Sequence, residues 1–146
     1  MDAAARIKAV EERRAQRREA VDTEKQEQLA TDLEALDALE SEHGDGGVAQ
    51  LELARYVKGL PTFIVIRTPK GIEYKRFTDQ VVKASDKGGT KEKRDAQDML
   101  ARTCWLYPAD DAAQKAMLDE YPALLLSIAL RATQLVEAKA NEEGKG

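Results

Sequence analysis

Residues 43–67 read His43-Gly44-Asp45-Gly46-Gly47-Val48-Ala49-Gln50-Leu51-Glu52-Leu53-Ala54-Arg55-Tyr56-Val57-Lys58-Gly59-Leu60-Pro61-Thr62-Phe63-Ile64-Val65-Ile66-Arg67, and this stretch decides the fold. Three glycines at 44, 46 and 47 favour left-handed conformations and turns, which suit the exit of a helix. Thr62–Arg67 is β-branched and aromatic, the strongest strand signal in the chain. Val48–Val57 is helix-compatible by composition, but it follows the glycine turn, and Lys58-Gly59-Leu60-Pro61 reads as a second turn. A β-hairpin of 48–57 and 62–67 is the simplest arrangement. The alternative, a helix at 48–57, would leave the second strand without a partner unless another chain supplied one.

Working outward toward the N-terminus, residues 2–43 contain no Gly or Pro and are rich in Ala, Glu, Arg, Gln and Leu. These residues lose little rotamer freedom in a helix, so one long helix is predicted. Its apolar stripe is thin: Ile7, Val10, Val21, Leu29, Leu33, Leu36 and Leu39. Residues 1–25 are therefore expected to project or fray, and 26–42 to dock. Toward the C-terminus, Thr68-Pro69 is expected to cap and start a helix reaching about Ala84. Ser85–Gly89 reads as a polar loop. A helix from about Thr90 carries the stripe Ala96, Met99, Leu100, Thr103, Cys104 and ends at Pro108. Asp110 caps a short helix through Asp119, and Pro122 opens a last one. The predicted class is mainly α with a small β-hairpin (α+β). A polar helical arm occupies 1–43, a small α+β domain with a four-helix C-terminal cluster occupies 48–140, and 141–146 form a frayed tail.

Composition narrows the function. Charged residues make up 34% and aromatics 5%, so part of the chain is expected to be solvated helix and not core. The net charge is -4, and residues 1–43 carry the acidity with 7 Lys/Arg against 12 Asp/Glu. A general nucleic-acid binder would show a basic excess. The arginine run Arg13-Arg14-Ala15-Gln16-Arg17-Arg18 is flanked by Glu11, Glu12 and Glu19, which can pair with it along the helix. The most apolar run, Ala123–Leu130, falls far short of the roughly 20 residues that cross a bilayer. With neither a secretory leader pattern nor a second cysteine, the expected place is the cytoplasm.

No catalytic constellation emerges. His43 stands at a helix exit with no nucleophile beside it. Cys104 lies on an apolar stripe and reads as a small core hydrophobe. One His and one Cys do not make an ordinary zinc site, and the glycines lack the Gly-Lys-Ser/Thr ending of a phosphate loop. The reading is no enzyme, no cofactor and no metal. Phe77, Leu100, Cys104 and Tyr107 are the expected core, with Leu125 buried beside the first three. The last helix holds more apolar residues than one stripe needs, so Leu124, Leu125, Ile128 and Leu130 are the expected partner-binding surface.

Several landmarks then fall in order: Pro69-Lys70-Gly71-Ile72-Glu73-Tyr74-Lys75-Arg76-Phe77, a charged gap, Ala96 with Leu100, Cys104 and Tyr107-Pro108, then Leu118, Glu120-Tyr121-Pro122 and a closing apolar helix. With the hairpin ahead of it, this order resembles the tail assembly chaperones of long-tailed bacteriophages over about residues 48–136. The resemblance implies a non-catalytic protein of the host cytoplasm. Its implied partner is the tape measure protein, which such a chaperone coats until tube subunits polymerise around it. Self-association and contact with other tail proteins are further expectations. The arm before Gly44 is outside the resemblance. Two other functions compete: a structural particle protein using its long helix as an inter-subunit arm, and a nucleic-acid-binding regulator acting through Arg13–Arg18.

Overall fold

The computed structural model describes residues 2–44, 46–86 and 88–144. Asp45 and Lys87, from the two glycine loops, and residues 145–146 of the expected tail lie outside the described residues. The chain is mainly helical with a small antiparallel sheet. In order it forms α1 (Ala3–His43), β1 (Val48–Glu52), β2 (Phe63–Arg67), α2 (Gly71–Asp86), α3 (Thr90–Cys104), β3 (Trp105–Tyr107), α4 (Asp111–Glu120) and α5 (Leu124–Gly144).

α1 is one uninterrupted helix of 41 residues. Asp2 caps it, its carboxylate accepting from the Ala5 N–H at 2.8 Å. Gly44 ends it with φ of 84° and donates its N–H to the Glu40 carbonyl. At Gly47 a Cβ would collide with the His43 carbonyl, so the turn into β1 needs glycine there.

β1 and β2 pair antiparallel from Val48↔Arg67 to Glu52↔Phe63, which is the expected hairpin. Its first strand ends at Glu52, five residues before Val57, and a ten-residue connection replaces the tight turn. Within that connection Gly59 takes φ of 83°. A third strand was not legible: β3 pairs antiparallel with β2 through Val65↔Tyr107 and Ile66↔Trp105, around an irregular step. The helix expected to run up to Pro108 therefore stops at Cys104. β2 is thus the central strand, and Phe63, Ile64, Val65 and Ile66 are all buried. A continuous apolar run is what a strand covered on both faces requires.

Ile64 and Ile66 face the main core, built with Ala101, Trp105, Met117, Leu124, Ile128 and Ala129. A smaller cluster of Leu100, Cys104 and Ala132 sits between α3 and α5, with Phe77 of α2 half-buried against it. Alternation along the strand turns Phe63 and Val65 to the opposite face, where α1 supplies Asp32 to Thr62 and Tyr107.

Helix starts differ by a few residues from expectation, for local reasons. α2 begins at Gly71, not Pro69, because the Glu73 carboxylate accepts from the Lys70 N–H at 2.7 Å and fixes Lys70 as the cap. Asp110 caps α4 as its sequence suggests, accepting from the Ala113 N–H at 3.1 Å. α5 begins at Leu124 and continues through Gly144, past the expected start of a frayed tail at residue 141.

Candidate functional site

The docked half of α1 centres on one buried carboxyl group. Asp32 is the only charged or polar residue buried among those described. Its Oδ2 accepts from the Thr62 N–H at 2.7 Å and the Thr62 hydroxyl at 2.6 Å. Its Oδ1 accepts from the Tyr107 hydroxyl at 2.5 Å and from the Gln28 amide at 2.8 Å. Four donors on two oxygens satisfy a buried carboxyl group, which would otherwise be costly to bury. The same contacts join α1, the entry to β2 and the end of β3. Burial, and then the bond to Asp32, push the Tyr107 phenol up from its ordinary value. Tyr107 is half-buried, with its ring 6.5 Å from that of Phe63.

A second polar pair ties β2 to α2. The Arg67 guanidinium donates to both Glu73 oxygens, at 2.7 and 2.8 Å. That bond, with the Lys70 N–H assisting, holds the Glu73 carboxyl down at about 2. Cys104 lies near this pair and is fully buried. Burial pushes its thiol up to about 11, so at neutral pH it is a protonated core group out of contact with solvent. His43 is exposed at the end of α1.

Of the expected core, Leu100 and Cys104 are buried together, while Phe77 and Tyr107 are half-buried. Leu125 does not join them; it packs, partly buried, against the main core instead. The expected partner surface is corrected in the same way. Leu124 and Ile128 are core residues, because the surplus apolar face of α5 meets Ile64, Ile66 and Met117 within the domain. What α5 leaves outside is Leu130, 59% exposed, and Leu126, 54% exposed, one turn apart. Beside them a groove of about 500 Å³ opens between α3 and the start of α5, lined by Arg94, Asp98, Pro122, Leu125 and Leu126.

A separate cleft of about 250 Å³ lies between α2 and α3, floored by Ala84, Ala96 and Met99. The arginines of the 13–18 run are all exposed on the half of α1 that precedes its docking. That docking begins near Glu24, which pairs with Lys58 at 3.5 Å.

Among the described residues no three His, Cys, Asp or Glu side chains are grouped as metal ligands would be. Among the same residues, no helix is long and apolar enough to cross a membrane. In comparisons with known proteins, no family model, no curated protein and no solved structure matches the chain.

Proposed function

We propose that this chain is a non-catalytic tail assembly chaperone of a long-tailed bacteriophage that holds the tape measure protein in the host cytoplasm. The observation that carries the reading is the outward pair Leu126 and Leu130 on α5, beside the groove that Leu125 and Pro122 help to line. Two exposed leucines one turn apart, next to a groove with an apolar wall at the start of α5 (Pro122, Leu125, Leu126) and a charged α3 wall (Arg94, Asp98), offer an anchor for an amphipathic segment of a partner. The order of landmarks from Pro69 to the closing helix supports the choice of partner. A holder that must later be displaced by tube subunits should bind each segment modestly and gain strength from many copies.

The test is co-expression with the tape measure protein. The unmodified chain should keep that protein soluble and co-purify with it in more than one-to-one ratio. Leu126→Asp with Leu130→Asp should abolish this while leaving the fold intact, since both positions are exposed. A tape measure protein that stays insoluble with the unmodified chain overturns the reading. The free half of α1 favours one second reading, a particle component with an inter-subunit arm. Finding the chain in purified particles would favour that reading over the chaperone.

A further inference from the structure

The exposed half of α1 and the cleft between α2 and α3 carry complementary patterns of apolar and charged side chains. We propose that the arm of one copy of this chain docks in the α2–α3 cleft of a second copy.

On the arm, Ile7, Val10 and Val21 are exposed. Their separations of 3 and 11 residues place them on one line along the helix, spanning about 21 Å at 1.5 Å per residue. Arg6, Arg13 and Arg17 follow one side of that line, and Glu11 and Asp22 follow the other. Arg14 sits near its middle, where a long aliphatic stem can lie along an apolar surface with its charge outside. Arg18 stands on the acidic side, one turn before Asp22 and placed to pair with it.

The cleft has the corresponding pattern. Its floor is Ala84, Ala96 and the 53% exposed Met99, and it continues into a smaller hollow over Phe77 and Leu100. The α3 wall presents Glu92 and Asp95, and the α2 wall presents Lys83 and Arg76, with Glu73 also lining it but neutralised by Arg67. An amphipathic helix lying in this cleft needs an apolar line with a basic side toward α3 and an acidic side toward α2. The arm carries that arrangement.

The occupant cannot be the chain's own arm. α1 is continuous from Ala3 to His43, and Ile7 lies 25 residues before the Asp32 anchor, about 38 Å along the axis. Each copy therefore offers one arm and one cleft to other copies. Two copies can exchange arms about a two-fold axis, or the contact can run head-to-tail into chains or rings. It stands whether or not the tail-assembly reading holds.

Sedimentation equilibrium on the full chain tests it. At low salt the mass should rise above one copy with concentration, then fall back as added salt screens the exposed pairs. Arg13→Glu with Arg17→Glu on the arm, or Glu92→Lys with Asp95→Lys on the cleft, should each weaken assembly about tenfold or more. Mixing the two variants should restore assembly, because each supplies the partner the other lacks. Circular dichroism checks that both remain folded.

A chain that stays single at every concentration overturns the proposal. So does a cleft variant that assembles like the unmodified chain, which would mean that arms pair with each other. A mixture that stays unassembled overturns it as well. Assembly abolished by nuclease would assign the arginines to phosphate contacts and overturn it too.

Discussion

The two halves of α1 share one backbone and a helix-favouring sequence, but the first carries the arginines and the second the leucines and most of the acidic residues, and they live in different environments. Before Glu24 almost every side chain is exposed, and the apolar residues Ile7, Val10 and Val21 face solvent. From Glu24 onward Gln28, Leu29, Ala35, Leu36 and Leu39 are partly covered, and Asp32 is buried completely. Helical propensity is therefore not what separates them. The second half has a sheet face to lie on and a carboxyl group that finds Thr62 and Tyr107 there. The first half extends beyond the sheet. A long polar helix can thus be at once part of a core and a free arm, and a single side chain marks the change.

The largest effect expected from breaking this asymmetry comes from Asp32→Ala. The substitution leaves the part-buried Thr62 N–H and Tyr107 hydroxyl without their acceptor, so chemical denaturation should report a loss of about 2–3 kcal/mol. An alanine at Arg13, on the same helix but exposed, should move stability by no more than about 0.5 kcal/mol. If Asp32→Ala cost as little as Arg13→Ala, the docked half would not be held by this carboxyl group.

A smaller, pH-dependent effect sharpens the contrast between the α1 anchor and the one on α2. The Glu73 carboxyl is held at about 2 in the folded chain, against an ordinary value of 4.5, chiefly by the Arg67 hydrogen bond. A depressed carboxyl value means stability that is fully present above about 4.5 and lost as pH falls through about 2. Both side chains keep some solvent access, 17% and 20%, so the contribution at neutral pH should be roughly 1–2 kcal/mol. Glu73→Gln should therefore be less stable than the unmodified chain at pH 7, and the two urea midpoints should converge as the pH approaches 2. A constant gap across that range would show that the bond is not what titrates.

These particulars also mark how far the sequence could be read. The helices and the hairpin were legible because each carries local signals: glycines after α1, the Thr62–Arg67 run, Asp110 before α4. β3 was not, since three residues following a helix hold no periodicity, and only pairing with β2 makes them a strand. Asp32 had a signal that sequence reading missed. It sits three residues after Leu29 and four before Leu36, inside the apolar stripe, where an acidic residue has to be satisfied if the stripe is buried. Its partners Thr62 and Tyr107 are 30 and 75 residues away, so nothing local names them. On α5 the surplus of leucines was plain, but which of them face Ile64 and Met117 depends on where the sheet lies. Leu124 and Ile128 thus proved to be core, while Leu126 and Leu130 were left outside.

The smallest effect is expected where the comparison is most direct. Removing residues 2–23 takes away Ile7, Val10, Val21 and all four arginines of the 13–18 run, a large share of the polar helix. It leaves Glu24 to pair with Lys58, and it leaves Asp32 with its four donors. The side chains removed are exposed apart from a partly covered Ala9, so little apolar area returns to water when they go. The shortened helix keeps its C-terminal cap at Gly44 and needs only a new N-cap, worth about 0.5–2 kcal/mol to the helix end but remote from the sheet. Fraying there should stay local. Global unfolding, measured by denaturant at a dilution where the chain is single, should shift by about 0.5 kcal/mol or less. Near-UV circular dichroism of Trp105, buried against the core, should be unchanged. A shift comparable to that of Asp32→Ala would mean that the free half is coupled to the sheet after all, and the boundary at Glu24 would have to move toward the N-terminus.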